Sequence, residues 1–165
     1  MKTDDANQGI ADLTGTAFET ACACGVNPAK AEIIAECIQE TEALFQSGSH
    51  HCAEAVVSVI RKYFSPETPE TVVRLVSGLG GGCCSGCICG ALSAATIALG
   101  MVLADDKESI ERLTRSMHTW FKETYGAACC RALQDKQHEG CRVSPGAVAG
   151  KLAELLLESK KSPRL

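Results

Sequence analysis

The run from Leu79 to Ala91, LGGGCCSGCICGA, holds Cys83, Cys84, Cys87 and Cys89 within seven residues, interleaved with Gly80, Gly81, Gly82, Gly86 and Gly90. Thiolates are soft donors that select zinc, Cu(I) or iron–sulfur clusters. Cys84 and Cys87 make a C-x-x-C, and Cys87 and Cys89 a C-x-C, spacings that bring sulfurs close enough to share a metal. The glycines let the backbone approach an inorganic centre and turn N–H groups toward its sulfurs. Cys89 also opens the small, apolar segment CGALSAATIALGMVL. That segment reads as a buried helix, and negative charge is favoured at a helix start.

The remaining cysteines lie in other segments. Cys52 falls in SHHCAEAVV, where Ser49 is the expected N-cap and Cys52 sits in the first helical turn. The N–H groups and dipole there stabilise a thiolate. His50 and His51 are either a solvated helix start or a source of positive charge and ligation. Adjacent helical residues point in different directions, so at most one of them shares a site with Cys52. Cys129 and Cys130 follow YGAA, and Cys141 follows in EGC. Cys22 and Cys37, at apolar helix positions, read as small buried side chains; Cys24, near a helix end, is open to either role. Arg131, beside Cys130, is a surface charge or an offset for negative sulfurs.

Several chemistries do not fit. Ile88 follows Cys87, so this is not the C-x-x-C-H of haem attachment. No second C-x-x-C completes a zinc ribbon, and the ferredoxin run of cysteines is missing. GLGGGCCSG lacks the Lys-Ser/Thr of a phosphate loop and follows a helical segment instead of a strand. A thioredoxin-like reading needs a βαβ context, and no strand alternation is visible.

The elements that must position these thiols are helical. Asn27 and Pro28 start a helix that ends before Gly48; a second runs from Ser49 through Phe64 with Ala53, Val56, Val57 and Ile60 on one face. Another begins near Thr68 or Pro69 and ends in the glycines. DDKESIERLTRSMHTWFKETYG places Ile110, Leu113, Met117, Trp120 and Phe121 on one face and stops at Gly126. A helical turn starts at Cys130, and Ser144 and Pro145 open the last helix. Asn7–Cys24 forms a further helix, and the tail KKSPRL is frayed. The expectation is an all-α, compact single domain over 1–165, of about seven helices with a Gly/Cys-rich loop. Within it, 1–42 are N-terminal helices, 43–143 a cysteine core, and 144–165 the last helix and tail.

Composition agrees with a thiol-based role. The chain has 165 residues, a net charge of -4 and only 4% aromatic residues, which argues against nucleic-acid binding. Eleven cysteines, an odd number, cannot all pair within the chain. MKTDDANQGIADLTG shows no apolar signal region and no run reaches membrane-span length, so a cytoplasmic protein is expected, or a periplasmic one if an export signal has been removed. Cytosolic thiols at this density point to metal or redox chemistry.

The order of motifs resembles a known family. A lone cysteine at a helix start (Cys52), a glycine-rich run into Cys89-Gly90-Ala91, then CRAL at Cys130 and a last cysteine at Cys141 look like the C_GCAxxG_C_C family of redox-active proteins. The iron–sulfur part of split-Soret cytochromes c is similar. The likeness covers roughly Ala43 to Val143. It implies a compact helical domain, cysteine ligation of an iron–sulfur centre through Cys52, Cys89, Cys130 and Cys141, and a redox role in anaerobic metabolism. Ala94 stands where the family carries a glycine, the haem-attachment sequences are absent, and Cys83, Cys84, Cys87 and Cys129 are additional; they are candidates for a second or larger centre.

The first reading is therefore an iron–sulfur redox or electron-transfer protein. Its candidate ligands are Cys52, Cys83, Cys84, Cys87, Cys89, Cys129, Cys130 and Cys141, with Gly81, Gly82, Gly86 and Gly90 shaping the cofactor loop. Two alternatives stand beside it. One is a metal-free thiol–disulfide oxidoreductase, with Cys84 and Cys87 exchanging or with Cys52 attacking and Cys89 resolving. The other is a zinc or Cu(I) module. A redox partner protein is implied, without a legible identity, substrate or catalytic residue. The helix at 89–103, apolar all round, needs covering on every side, which points to a homodimer.

Overall fold

A computed structural model of the chain describes residues 27–135 and 140–159. The helix expected over Asn7–Cys24, with Cys22 and Cys24, and the tail from 160 onward lie outside the described residues. Among the described residues the architecture is all-α: six α-helices and a 3-10 helix, with one short π turn and a minimal hairpin.

Helix α1 spans Pro28–Gln46. The Asn27 side chain accepts the Ala29 N–H at 3.1 Å, and Pro28 sits where a missing N–H matters least. Helix α2 spans Cys52–Phe64. Its N-cap is His51, not the expected Ser49. The Ser49 hydroxyl is engaged with Leu44 O and the Ser47 hydroxyl, within the turn that closes α1. Glu54 accepts the His51 N–H at 2.8 Å, half of a capping box. Cys52 is thus the first helical residue. One face of α2, with Ala53, Val56, Val57 and Ile60, is fully buried, as its pattern predicts.

The expected helix after Pro69 is a 3-10 helix, Glu70–Leu79. Buried Val73 and Val76 and half-buried Leu79 recur every third residue, which matches three residues per turn better than 3.6. The π turn Gly82–Gly86 follows. Helix α3, Gly90–Leu103, is the centre of the molecule, packed against α2, α4 and α6. Ala91, Leu92, Ala94, Ala95, Ala98 and Leu99 are completely buried. Ala94, the residue in place of the family glycine, fits there without exposure. Ile97, at 42%, is the exposed residue of this helix.

Helix α4, Lys107–Tyr125, starts where Asp106 accepts the Ser109 N–H at 3.1 Å and stops at left-handed Gly126, with Leu113, Met117 and Phe121 buried. Helix α5 is one turn, Cys130–Leu133. Strands β1 (Gln134–Asp135) and β2 (Gly140–Cys141) pair antiparallel, Gln134 opposite Cys141. Two residues per strand are too few to show alternation, so the sequence carries no sign of them. Helix α6, Pro145–Ser159, is capped by the Ser144 hydroxyl, which accepts the Ala147 N–H at 2.8 Å. It packs along α1, where a side chain at Gly146 would come within 2.6 Å of the Ile38 carbonyl oxygen. Among the described residues, no helix is long and apolar enough to cross a membrane.

Candidate functional site

Four segments distant in sequence meet at one end of α2 and α3. Cys52 is the first residue of α2, Cys89 the N-cap of α3, Cys130 the first residue of α5, and Cys141 the end of β2. All four line one cavity of about 160 Å³. Pockets for organic ligands usually exceed about 300 Å³, so the space suits an inorganic centre or a small ion better.

Backbone bonds hold the thiols in place. The Cys89 N–H donates to Ala128 O at 2.8 Å, and the Cys130 N–H donates to Cys87 O. Together with the Ile88–Cys129 bridge, they lay residues 87–89 antiparallel to 128–130. Cys141 is set by its register opposite Gln134 and by Arg142, whose backbone N–H donates to Leu133 O at 3.1 Å and whose guanidinium donates to Ala132 O at 3.0 Å.

The cavity is prepared for negative sulfur. The backbone N–H groups of Gly81, Ala53 and Ala91 pull the Cys52 thiol's pKa down, and those of Leu92 and Ala91 that of Cys89. Two helix N-termini therefore converge on it. Burial works the other way. It pushes the Cys89 thiol up to about 11, with the neighbouring Cys52 and Cys141 adding to the rise. Burial, and then the neighbouring cysteines, also raise Cys52 and Cys130. Burial thus favours the neutral thiol at Cys52, Cys89 and Cys130.

Two glycines make the close approach possible. A Cβ at Gly82, which has φ 69°, would lie 2.4 Å from Cys130 Cβ. One at Gly90 would lie 2.4 Å from Leu79 O and 3.0 Å from Cys52 Sγ. Gly81 lines the cavity, whereas Gly86 faces the Arg131 side chain.

The other four candidate cysteines do not line this cavity. Cys83, Cys84, Cys87 and Cys129 are exposed. The first two continue a left-handed run, with φ of 59° at Gly81, 69° at Gly82, 56° at Cys83 and 52° at Cys84. Cys129 Sγ donates to Gly86 O at 3.3 Å, and Arg131 donates to Ser85 O at 3.0 Å. Cys37 is wholly buried in the core, as its apolar position predicts. Of the histidines, His51 lines the cavity, while His50 Nδ1 is turned to the Ser49 hydroxyl at 2.9 Å. Phe45, Gln134 and Val143 complete the lining and are absent from the sequence-based candidates. Gln134 would have been found only from the hairpin register.

Among the described residues, no three His, Cys, Asp or Glu side chains converge so as to hold a single metal ion.

A family model described as "Putative redox-active protein (C_GCAxxG_C_C)" matches residues 50–155, which contain every thiol of this site. No curated protein and no solved structure matches.

Proposed function

The chain belongs to the C_GCAxxG_C_C family, and on that premise we propose that it is a redox protein in which Cys52, Cys89, Cys130 and Cys141 hold an iron–sulfur cluster. The observation that carries this reading is the convergence of four thiols from four segments on one small cavity fed by backbone N–H groups. Four cysteine sulfurs are the ligand set of the common iron–sulfur clusters. When bound, such a cluster supplies one-electron chemistry, with a potential set by charge, burial and N–H···S bonds.

The chain's own contributions are then specific. Cys52 and Cys89 sit at two helix starts, beside the backbone N–H groups of Gly81, Ala53, Ala91 and Leu92. With a cluster bound, such N–H groups would stabilise its reduced, more negative state and raise the potential. Phe45 and Val143 line the cavity with apolar surface, and Gly82 and Gly90 leave room for the backbone to close around it. A redox partner protein delivers or removes the electron. A homodimer belongs to the same proposal, with a second copy covering Ile97.

The test is anaerobic purification followed by iron and acid-labile sulfide assays and electron paramagnetic resonance. Cys52→Ser, Cys89→Ser, Cys130→Ser and Cys141→Ser should each lower iron content, whereas Cys37→Ser should keep it. Unchanged iron in all four cavity variants would sink the assignment. Light scattering of the loaded protein reads the dimer, and a monomer mass with iron retained removes it.

A further inference from the structure

The exposed thiols are a second chemical feature that the cavity does not use. We propose that Cys84 and Cys87 form a surface dithiol that exchanges with disulfides of other molecules, independently of whatever the inner cavity holds. Three observations lead there.

The first is access. Cys84 and Cys87 are exposed, as are Cys83, Cys129 and the cavity's Cys141, whereas Cys89 and Cys130 are buried and Cys52 is half-buried. A disulfide on another molecule can reach the outer pair.

The second is the turn. Both cysteines lie within one hydrogen-bonded loop closed by the Cys87 N–H donating to Gly82 O at 2.9 Å. Cys83 and Cys84 are held in left-handed backbone that L-residues with a side chain rarely adopt. Four contacts maintain that conformation: the loop closure, Arg131 on Ser85 O, Cys129 Sγ on Gly86 O, and the Ile88–Cys129 bridge. Strain kept in place at exposed nucleophiles is a pattern of functional loops.

The third is bracing. The Arg131 guanidinium is fastened to Ser85 O at 3.0 Å and its side chain lies against Gly86. These are the two residues between the cysteines, so the middle of the C-x-x-C is held from one side.

The exchange balances as follows. The Cys87 thiolate attacks one sulfur of the substrate disulfide, a new S–S bond forms, the substrate S–S bond breaks, and the departing sulfur takes a proton from solvent. Cys84, whose thiol is turned toward Gly78 O at 3.8 Å, then loses its proton and attacks the Cys87 sulfur of the mixed disulfide. That closes a Cys84–Cys87 bond and releases the second substrate thiol. Two electrons pass from the pair to the substrate. A dithiol reductant resets the pair by the reverse reaction.

The experiment uses the full chain under anaerobic conditions with oxidised glutathione as probe, alkylation of remaining thiols, and mass spectrometry. The expected result is an intramolecular disulfide that is lost in Cys84→Ser and in Cys87→Ser and kept in Cys83→Ser. Cys84→Ser should accumulate glutathione on Cys87. Iron content should stay at the wild-type level in these variants, which separates this proposal from the cavity assignment. The proposal is overturned if Cys84 and Cys87 stay reduced in excess oxidised glutathione, if the disulfide formed includes Cys52, Cys89, Cys130 or Cys141, or if it survives either single replacement.

Discussion

At the scale of residues, the thiols are as good as the backbone that lets them approach. Gly82→Ala and Gly90→Ala would each force a Cβ to 2.4 Å from a neighbour, Cys130 Cβ in one case and Leu79 O in the other. Overpacking of this kind costs about 1–3 kcal/mol, and here it would also displace a sulfur. Gly81→Ala is the control. Its φ of 59° makes the backbone unfavourable, yet nothing lies within 4 Å of the added carbon. Left-handed strain alone is worth about 1–2 kcal/mol. Thermal unfolding should rank all three below wild type, while iron retention should fall sharply for Gly82→Ala and Gly90→Ala and little for Gly81→Ala. Equal iron loss in all three would place the effect in loop strain and not in sulfur positioning. The types and spacing of the cysteines were readable from the sequence, and so was the bland role of Cys37. The division of the eight candidates came from the family resemblance and not from their spacing. Whether Cys84 or Cys89 faces inward depends on a left-handed turn built partly from non-glycine residues, a conformation that local propensity argues against.

At the scale of elements, the cavity is a junction of helix starts, and Glu54 ties two of its walls together. Glu54 accepts the His51 N–H at the head of α2 and, at 2.5 Å, the Ser77 hydroxyl of the 3-10 helix. The Ser77 bond, and then the His51 N–H, hold its carboxyl below the usual value of 4.5. A depressed carboxyl contributes stability that is present above its unfolded value and is lost as pH falls through the folded one. Glu54→Ala should therefore lower the melting temperature at neutral pH by the equivalent of about 1 kcal/mol, and the variant should lose less than wild type when both are taken below pH 4.5. Parallel acid denaturation curves would refute that role. Capping residues such as Asn27, Gly126 and Ser144 were legible because each side chain or left-handed glycine acts within a few residues of itself. The N-cap of α2, the 3-10 form of residues 70–79 and the two-residue strands were not. Each is decided by what the segment meets: Ser49 is taken by the end of α1, the 3-10 helix follows a three-residue burial rhythm against α2 and α3, and the hairpin exists only to bring Cys141 beside α5.

At the scale of the whole molecule, a core that keeps thiols protonated is tied to alkaline pH. Burial, helped by Glu40 and Glu36, pushes Cys37 up to about 12 from 9.0, and burial pushes Cys89 up to about 11. Cys52 and Cys130 are raised in the same direction. A thiol with a raised folded value favours the fold while protonated. Its contribution is complete below the unfolded value of 9.0 and disappears as pH rises through the folded one. For Cys37 the rise corresponds to about 4 kcal/mol, a sizeable part of the roughly 5–15 kcal/mol that stabilises a domain. The metal-free protein should therefore lose its helical signal between pH 9 and 12. Cys37→Ala should blunt this loss, at the expense of a small cavity at neutral pH. A bound cluster changes only part of the balance. Its ligands must be thiolates, so loading releases protons and retention should weaken as pH falls. The ligated sulfurs no longer titrate, whereas Cys37, remote from the cavity, still does. Circular dichroism against pH, on wild type and Cys37→Ala, each with and without iron, separates the two contributions. Loading should move the alkaline midpoint upward in both backgrounds, and further in Cys37→Ala, where the cavity thiols dominate what remains. An alkaline midpoint that loading leaves unmoved in Cys37→Ala would mean that the cavity thiols are not the ones that bind the metal.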